Sequence, residues 1–149
     1  MKLQPGSDPA HVDVLIVGAG ISGIDAAWHL QQRRPGTSFA LLESKEAIGG
    51  TWHTHRFPGI RSDSDLYTLG FSWKPWTGRP IADAAEILRY LNEAVDENGI
   101  RPRIRFNHTI RAARWSGESQ CWALDVDTPR GATSITCSFL WICAGYFRH

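Results

Sequence analysis

The chain has 149 residues, 42% of them hydrophobic; at that size a single core buries about two-thirds of the unfolded surface, so one domain is expected and two are not. With 16 basic against 15 acidic residues and a net charge of +1, it lacks the one-signed field that gathers nucleic acid or anionic lipid, and no nucleic-acid partner is expected. Cysteines at positions 121, 137 and 143 form no CxxC pair and leave one over however they are joined, which argues for reduced thiols and a cytoplasmic protein. No apolar run has the length of a signal peptide or a transmembrane segment.

Residues 1–11 are expected to be a flexible lead, with the folded domain over residues 12–149. The near-continuous apolar, β-branched run over residues 12–17 predicts a strand buried on both faces of a parallel sheet. A glycine turn over residues 18–23 follows, and Ile24, Ala27, Trp28 and Leu30 then keep helical spacing until Arg33-Arg34-Pro35-Gly36 ends it. Residues 38–42 make a second strand, completing a βαβ unit.

Residues 44–80 show no period and predict a long ordered loop that covers something. Asp83 and Glu86 form a capping box before Ile87, Leu88, Leu91 and Val95, so an amphipathic helix is predicted up to Asn98-Gly99. Segments 104–106, 109–115, 121–127 and 133–137, separated by turn residues, read as a small antiparallel β-meander. The apolar run over residues 139–144 predicts a return to the buried parallel sheet. The fold class is therefore α/β, a Rossmann-like domain of three layers with an added meander.

Chemistry is concentrated in Gly18-Ala19-Gly20-Ile21-Ser22-Gly23. The first glycine permits the tight turn, the second lets backbone approach a pyrophosphate, and the third lets helix and strand pack. The helix that opens here aims unpaired amides and its positive dipole end at an anion. Glu43 stands 20 residues after Gly23 at the end of the second strand, where a carboxylate accepts bonds from ribose hydroxyls. That same charge repels the 2'-phosphate of NADP and leaves FAD or NAD as the dinucleotide. His53-Thr54-His55 has no cysteine or carboxylate partner at ligand spacing, so no metal site is expected. The seven tryptophans are expected to fill core and loop, Trp52 excepted, which is expected beside the cofactor.

Gly49-Gly50-Thr51-Trp52, followed by Arg56-Phe57-Pro58-Gly59-Ile60-Arg61-Ser62-Asp63-Ser64-Asp65-Leu66-Tyr67, resembles class B flavin monooxygenases, most closely the Baeyer-Villiger type and, within it, the group that activates the thioamide prodrug ethionamide. The likeness runs from Val12 to Tyr146. Disulfide reductases carry a redox cysteine after the two glycines and threonine; here the position is Trp52. The resemblance implies that Gly18, Gly20, Ser22 and Gly23 hold the FAD pyrophosphate and Glu43 the adenosine ribose. Gly50, Thr51, Trp52, His53 and Thr54 would line the flavin side, while backbone groups at Ile110 would hold adenine. Arg61, Ser62 and Asp63 would lie near the nicotinamide of NADPH. Asp63 would also support catalysis by orienting an arginine that these 149 residues do not contain.

Relatives of this kind place an acidic residue where His53 stands, which is a departure. The resemblance further implies that the chain is the N-terminal portion of an incomplete FAD-binding domain, with the NADPH domain beyond His149. The expected activity of the parent is NADPH- and O2-dependent Baeyer-Villiger oxidation of a ketone, or oxidation at sulfur. A nitrogen- or sulfur-oxidising flavin-containing monooxygenase and an FAD-binding fragment with no activity of its own are the alternatives. A single-Rossmann NAD-dependent dehydrogenase is disfavoured, since neither Tyr67 nor Tyr90 is followed by lysine four residues on.

Overall fold

The computed structural model describes residues 10–146. The flexible lead expected over residues 1–11 lies outside the described residues up to position 9. Its last residue, His11, already belongs to the first strand, β1 (His11–Val17). Glycines 18 and 20 separate β1 from α1 (Ile21–Arg33), and β2 (Phe39–Leu42) follows, buried at all four positions. β1 and β2 pair in parallel from Val14↔Phe39 to Val17↔Leu42, and Val12, Leu15, Ile16, Ala40 and Leu41 are fully buried. This is the doubly covered strand pair that the apolar runs predict.

Residues 44–80 contain two single turns of helix, α2 (Thr51–Thr54) and α3 (Leu66–Leu69), the latter capped by Asp65, whose side chain accepts from Thr68 N. The rest of this segment folds onto the helices. Trp73 stacks on Trp28 with centroids 4.9 Å apart and donates from Nε1 to Asp25 Oδ1 at 2.8 Å. Phe71 stacks on Trp73, and Trp76 meets Tyr90 edge-on. Tyr90 Oη accepts from Phe71 N at 2.7 Å and donates to Lys74 O; its burial raises the phenol's pKa above the ordinary value. The predicted helix is α4 (Ala84–Glu97), with both arms of the capping box formed between Asp83 and Glu86.

Two strand assignments are corrected. β3 (Ile104–Arg105) pairs in parallel with β2, not with the meander. It follows α4, and a helix between two strands returns the chain parallel to the strand it left. The segments 133–137 and 139–144 are not two strands. They form one strand, β6 (Gly131–Ile142), which runs antiparallel to β5 (Cys121–Thr128) through Cys137 and parallel to β1 from Thr136 onward. With β4 (Thr109–Ser116) the order is β3-β2-β1-β6-β5-β4, a single six-stranded sheet.

Two apolar clusters flank this sheet. One joins Val14, Ile16 and Leu41 to Ile24, Ala27, Ile87, Leu91 and Val95 of the helices. The other joins Leu15, Ala40 and Leu42 to Leu124, Val126 and Ile135 of the meander. Helices, parallel strands and meander thus form the three layers. The far end of β6 departs from the buried expectation: Phe139 is 57% and Ile142 63% exposed, because β5 stops pairing at Cys137 and no described element lies over those side chains. No helix among the described residues is long and apolar enough to cross a membrane.

Candidate dinucleotide-binding site

β1 delivers the chain to Gly18, whose φ of +101° is available to glycine at little cost. A Cβ here would stand 2.7 Å from the Cys143 carbonyl oxygen, so the turn runs directly against the end of β6. Gly18 N donates to Leu42 O at 2.8 Å and Cys143 N to Val17 O at 2.8 Å, which fixes the turn between both neighbouring strands. α1 begins with Gly20 as N-cap, with no side-chain cap and no acidic residue in the first turn. Its leading amides and dipole are therefore left for an anion.

Glu43 is 93% buried, being 7% exposed. Its Oε2 accepts from Ala19 N at 2.8 Å, inside the glycine turn, and its Oε1 accepts from Lys45 N at 2.9 Å. A carboxylate has about four lone-pair positions, so these two amides hold it in place while leaving capacity for hydroxyl donors. The Gly49-Gly50 turn closes against the same place: Gly49 N donates to Ala19 O at 3.0 Å, and a Cβ on Gly50 would lie 3.2 Å from Gly20 Cα. Two glycine turns thus meet backbone to backbone.

These parts surround a cavity of about 300 Å³. Gly18, Gly20, Ser22, Glu43, Gly50, Thr51, Trp52, Thr54 and Ile110 all line it, so most of the expected cofactor residues are brought together. Gly23 is beside it as a packing residue, since a Cβ there would fall 2.0 Å from Gly18 O. Sequence reasoning missed Lys45, His108 and Cys143 in the wall. Lys45 had a signal in its place two residues after Glu43; His108 had none, for it arrives from the β3–β4 connection, held by Nδ1 to Phe106 O at 2.7 Å and by its backbone N to Glu43 O at 2.9 Å.

His53, Arg61 and Trp52, which also lines the first cavity, line a second, more open cavity of about 510 Å³ between α2 and the start of α4. Ser62 is buried and tethers that region, its backbone N donating to Ala82 O and its Oγ accepting from Ala82 N. Asp63 is exposed, lies in neither cavity, and accepts only from Ser64 Oγ at 3.4 Å among the described contacts. No metal-holding group of His, Cys, Asp or Glu occurs among the described residues.

A parallel βαβ unit, an uncapped helix start behind GxGxxG and a buried carboxylate at the next strand end define a Rossmann-like dinucleotide-binding domain. The model of the NAD(P)-binding Rossmann-like domain matches residues 16–91, and the chain belongs to that family. Among curated relatives, it is 50% identical over 140 residues to the FAD-containing monooxygenase EthA of Mycobacterium tuberculosis (strain ATCC 25618 / H37Rv), covering 93% of this chain and 29% of that protein. To the probable FAD-binding monooxygenase AlmA of Acinetobacter baylyi it is 42% identical, covering 93% and 28%. The chain therefore spans under a third of the length of these relatives. Among solved structures, an oxidized steroid monooxygenase bound to NADP superimposes with a TM-score of 0.82 at 30% identity, over 91% of this chain and 26% of that one. OTEMO in complex with FAD and NADP does so with 0.81 at 31% identity, over 95% and 27%.

Proposed function

We propose that the first cavity holds FAD and that this chain is the flavin-binding part of an NADPH- and O2-dependent monooxygenase acting on a small ketone or sulfur compound. The observation that carries the reading is Glu43, buried and bonded to Ala19 N at one end of the cavity, with the Gly49-Gly50 turn crossing the same point. The names of the relatives and the FAD and NADP bound in the OTEMO complex support it.

In this arrangement the amides behind Gly18, Gly20, Ser22 and Gly23 bind the pyrophosphate without a basic side chain. Glu43 takes the ribose hydroxyls and the backbone at Ile110 the adenine. Gly50, Thr51, Trp52 and Thr54 face the flavin side, with His53 behind them. Arg61, Ser62 and Asp63 belong beside the nicotinamide of NADPH, where Asp63 aims a cation supplied from outside these residues. When bound, the flavin supplies the electron transfer and oxygen activation that no side chain offers. The residues of this chain bind, orient and exclude water. Three free thiols among the described residues support a cytoplasmic setting.

The reading is tested by titrating the protein with FAD and following flavin fluorescence: saturable one-to-one quenching is expected, weakened by Glu43→Ala. Binding of NAD in preference to FAD overturns it. A second reading, that these 149 residues bind FAD but oxidise nothing alone, is favoured by the position of Asp63 outside both cavities. NADPH-dependent oxygen consumption by the 149-residue protein would sink that one.

A further inference from the structure

α2 carries Thr51, Trp52 and Thr54 into the wall of the first cavity, yet it is one turn long, none of its residues is buried, and its N-cap Gly50 offers no side-chain bond. A four-residue helix cannot hold itself together in water. It also hangs from Gly49 and Gly50, whose φ values are +120° and +52°. Something other than α2 must set its angle.

His53 Nε2 lies 2.9 Å from Glu46 Oε1. Glu46 stands three residues before Gly49 and His53 three after Gly50, so the bond spans the base of the glycine turn and joins its two arms. The imidazole is well covered, its side chain 15% exposed, and a Cβ on Gly49 would press on His53 Cβ at 3.3 Å. Arg56 leans on the same point: its Nε donates to His53 O at 3.2 Å and its Nη2 stands 3.9 Å from Glu46 Oε1. One carboxylate therefore gathers a group from α2 and one from just beyond it. The Glu46 carboxyl is held below its usual range by its own backbone amide first and by His53 next. Gly49 N, bonded to Ala19 O, anchors the other side of this turn to the phosphate-facing glycines.

We propose that His53 is a positioning residue: tied to Glu46, it fixes the angle at which α2 presents Thr51, Trp52 and Thr54 to the flavin half of the cavity. The proposal rests on the FAD reading above for its ligand, and on the Glu46 bond for its mechanism. It requires a donor at position 53, not a charge, so glutamine substitutes for histidine. A carboxylate there faces Glu46 and drives the arms apart.

Amide hydrogen exchange needs no flavin and decides the tie. His53→Ala and His53→Asp are expected to speed exchange at Trp52, His53 and Thr54 about three- to fivefold, the range a partly exposed pair commands. His53→Gln stays at the parent rate, and β1 and β2 amides are unchanged in all three. Unchanged rates in His53→Ala, or His53→Gln as loose as His53→Ala, overturn the proposal; so does equal loosening of β1, which marks a general loss of fold. Binding then separates the halves of the ligand: His53→Ala weakens FMN by a similar factor and leaves ADP unaffected. Equal weakening of ADP and FMN overturns the flavin-side assignment. If the parent protein binds no flavin, the FAD reading fails while the exchange result still decides whether His53 holds α2.

Discussion

At the scale of single residues, the site is governed by what has no room to change. Gly23 sits in an ordinary helical conformation, so its requirement is purely steric: a methyl group would stand 2.0 Å from Gly18 O. Gly23→Ala is expected to destabilise the fold by about 1–3 kcal/mol, read as a lower denaturant midpoint with an unchanged slope, while Gly36→Ala, with nothing within 4 Å of its Cβ, serves as the neutral control. The same crowding decides thiol chemistry. Cys137 is fully buried where β6 meets both β1 and β5, and burial pushes its pKa up to about 11. At pH 8 only about one in a thousand such thiols is ionised. Iodoacetamide at that pH is expected to modify the partly exposed Cys121 first and to leave Cys137 intact until the protein unfolds, as mass mapping of the modified sites would reveal.

At the scale of elements, local signals were legible and remote ones were not. The Asp83–Glu86 capping box could be read because both partners lie within one turn, and both bonds form, at 2.8 and 3.1 Å. Asp83→Ala is expected to cost about 1 kcal/mol, measured by chemical denaturation, without moving the affinity for FAD, since Asp83 lies outside the first cavity. The strand pairings were harder. β3 pairs with β2 at Leu41↔Ile104 and Leu42↔Arg105, and nothing in a short run such as Ile104-Arg105-Phe106 says which neighbour it will choose. Ser138 divides two apolar runs in the sequence, yet in β6 it is one more residue of a continuous strand that changes partners at Thr136 and Cys137. The glycine turn and Glu43 were visible because the motif carries its own spacing. The Glu46–His53 tie was not, because only the glycine conformations bring residues seven apart to 2.9 Å.

At the scale of the whole molecule, the two layers on the sheet depend on β1 and β2 entering in register, and a polar clasp sets that register at their solvent end. Asp13 Oδ2 accepts from Ser38 N at 2.7 Å and Ser38 Oγ at 2.6 Å, while Asp13 N donates back to Ser38 Oγ at 2.9 Å. The Ser38 side chain first, and its backbone amide next, hold the Asp13 carboxyl below its ordinary value of 3.8. A carboxylate with a depressed pKa in the folded state adds stability that is complete above the unfolded value and is lost as pH falls through the lower, folded one. Asp13→Asn keeps an acceptor and removes the charge. It should therefore unfold more easily than the parent at pH 7, by less than about 1 kcal/mol because the clasp is exposed to solvent. The difference should begin to shrink about one pH unit above the ordinary value of 3.8 and vanish once the Asp13 carboxyl is protonated in the folded and unfolded states alike. Thermal melts of the two proteins from pH 7 down to pH 2 would settle it: a gap that persists unchanged at pH 2 means the charge on Asp13 contributes nothing and the clasp works through shape alone.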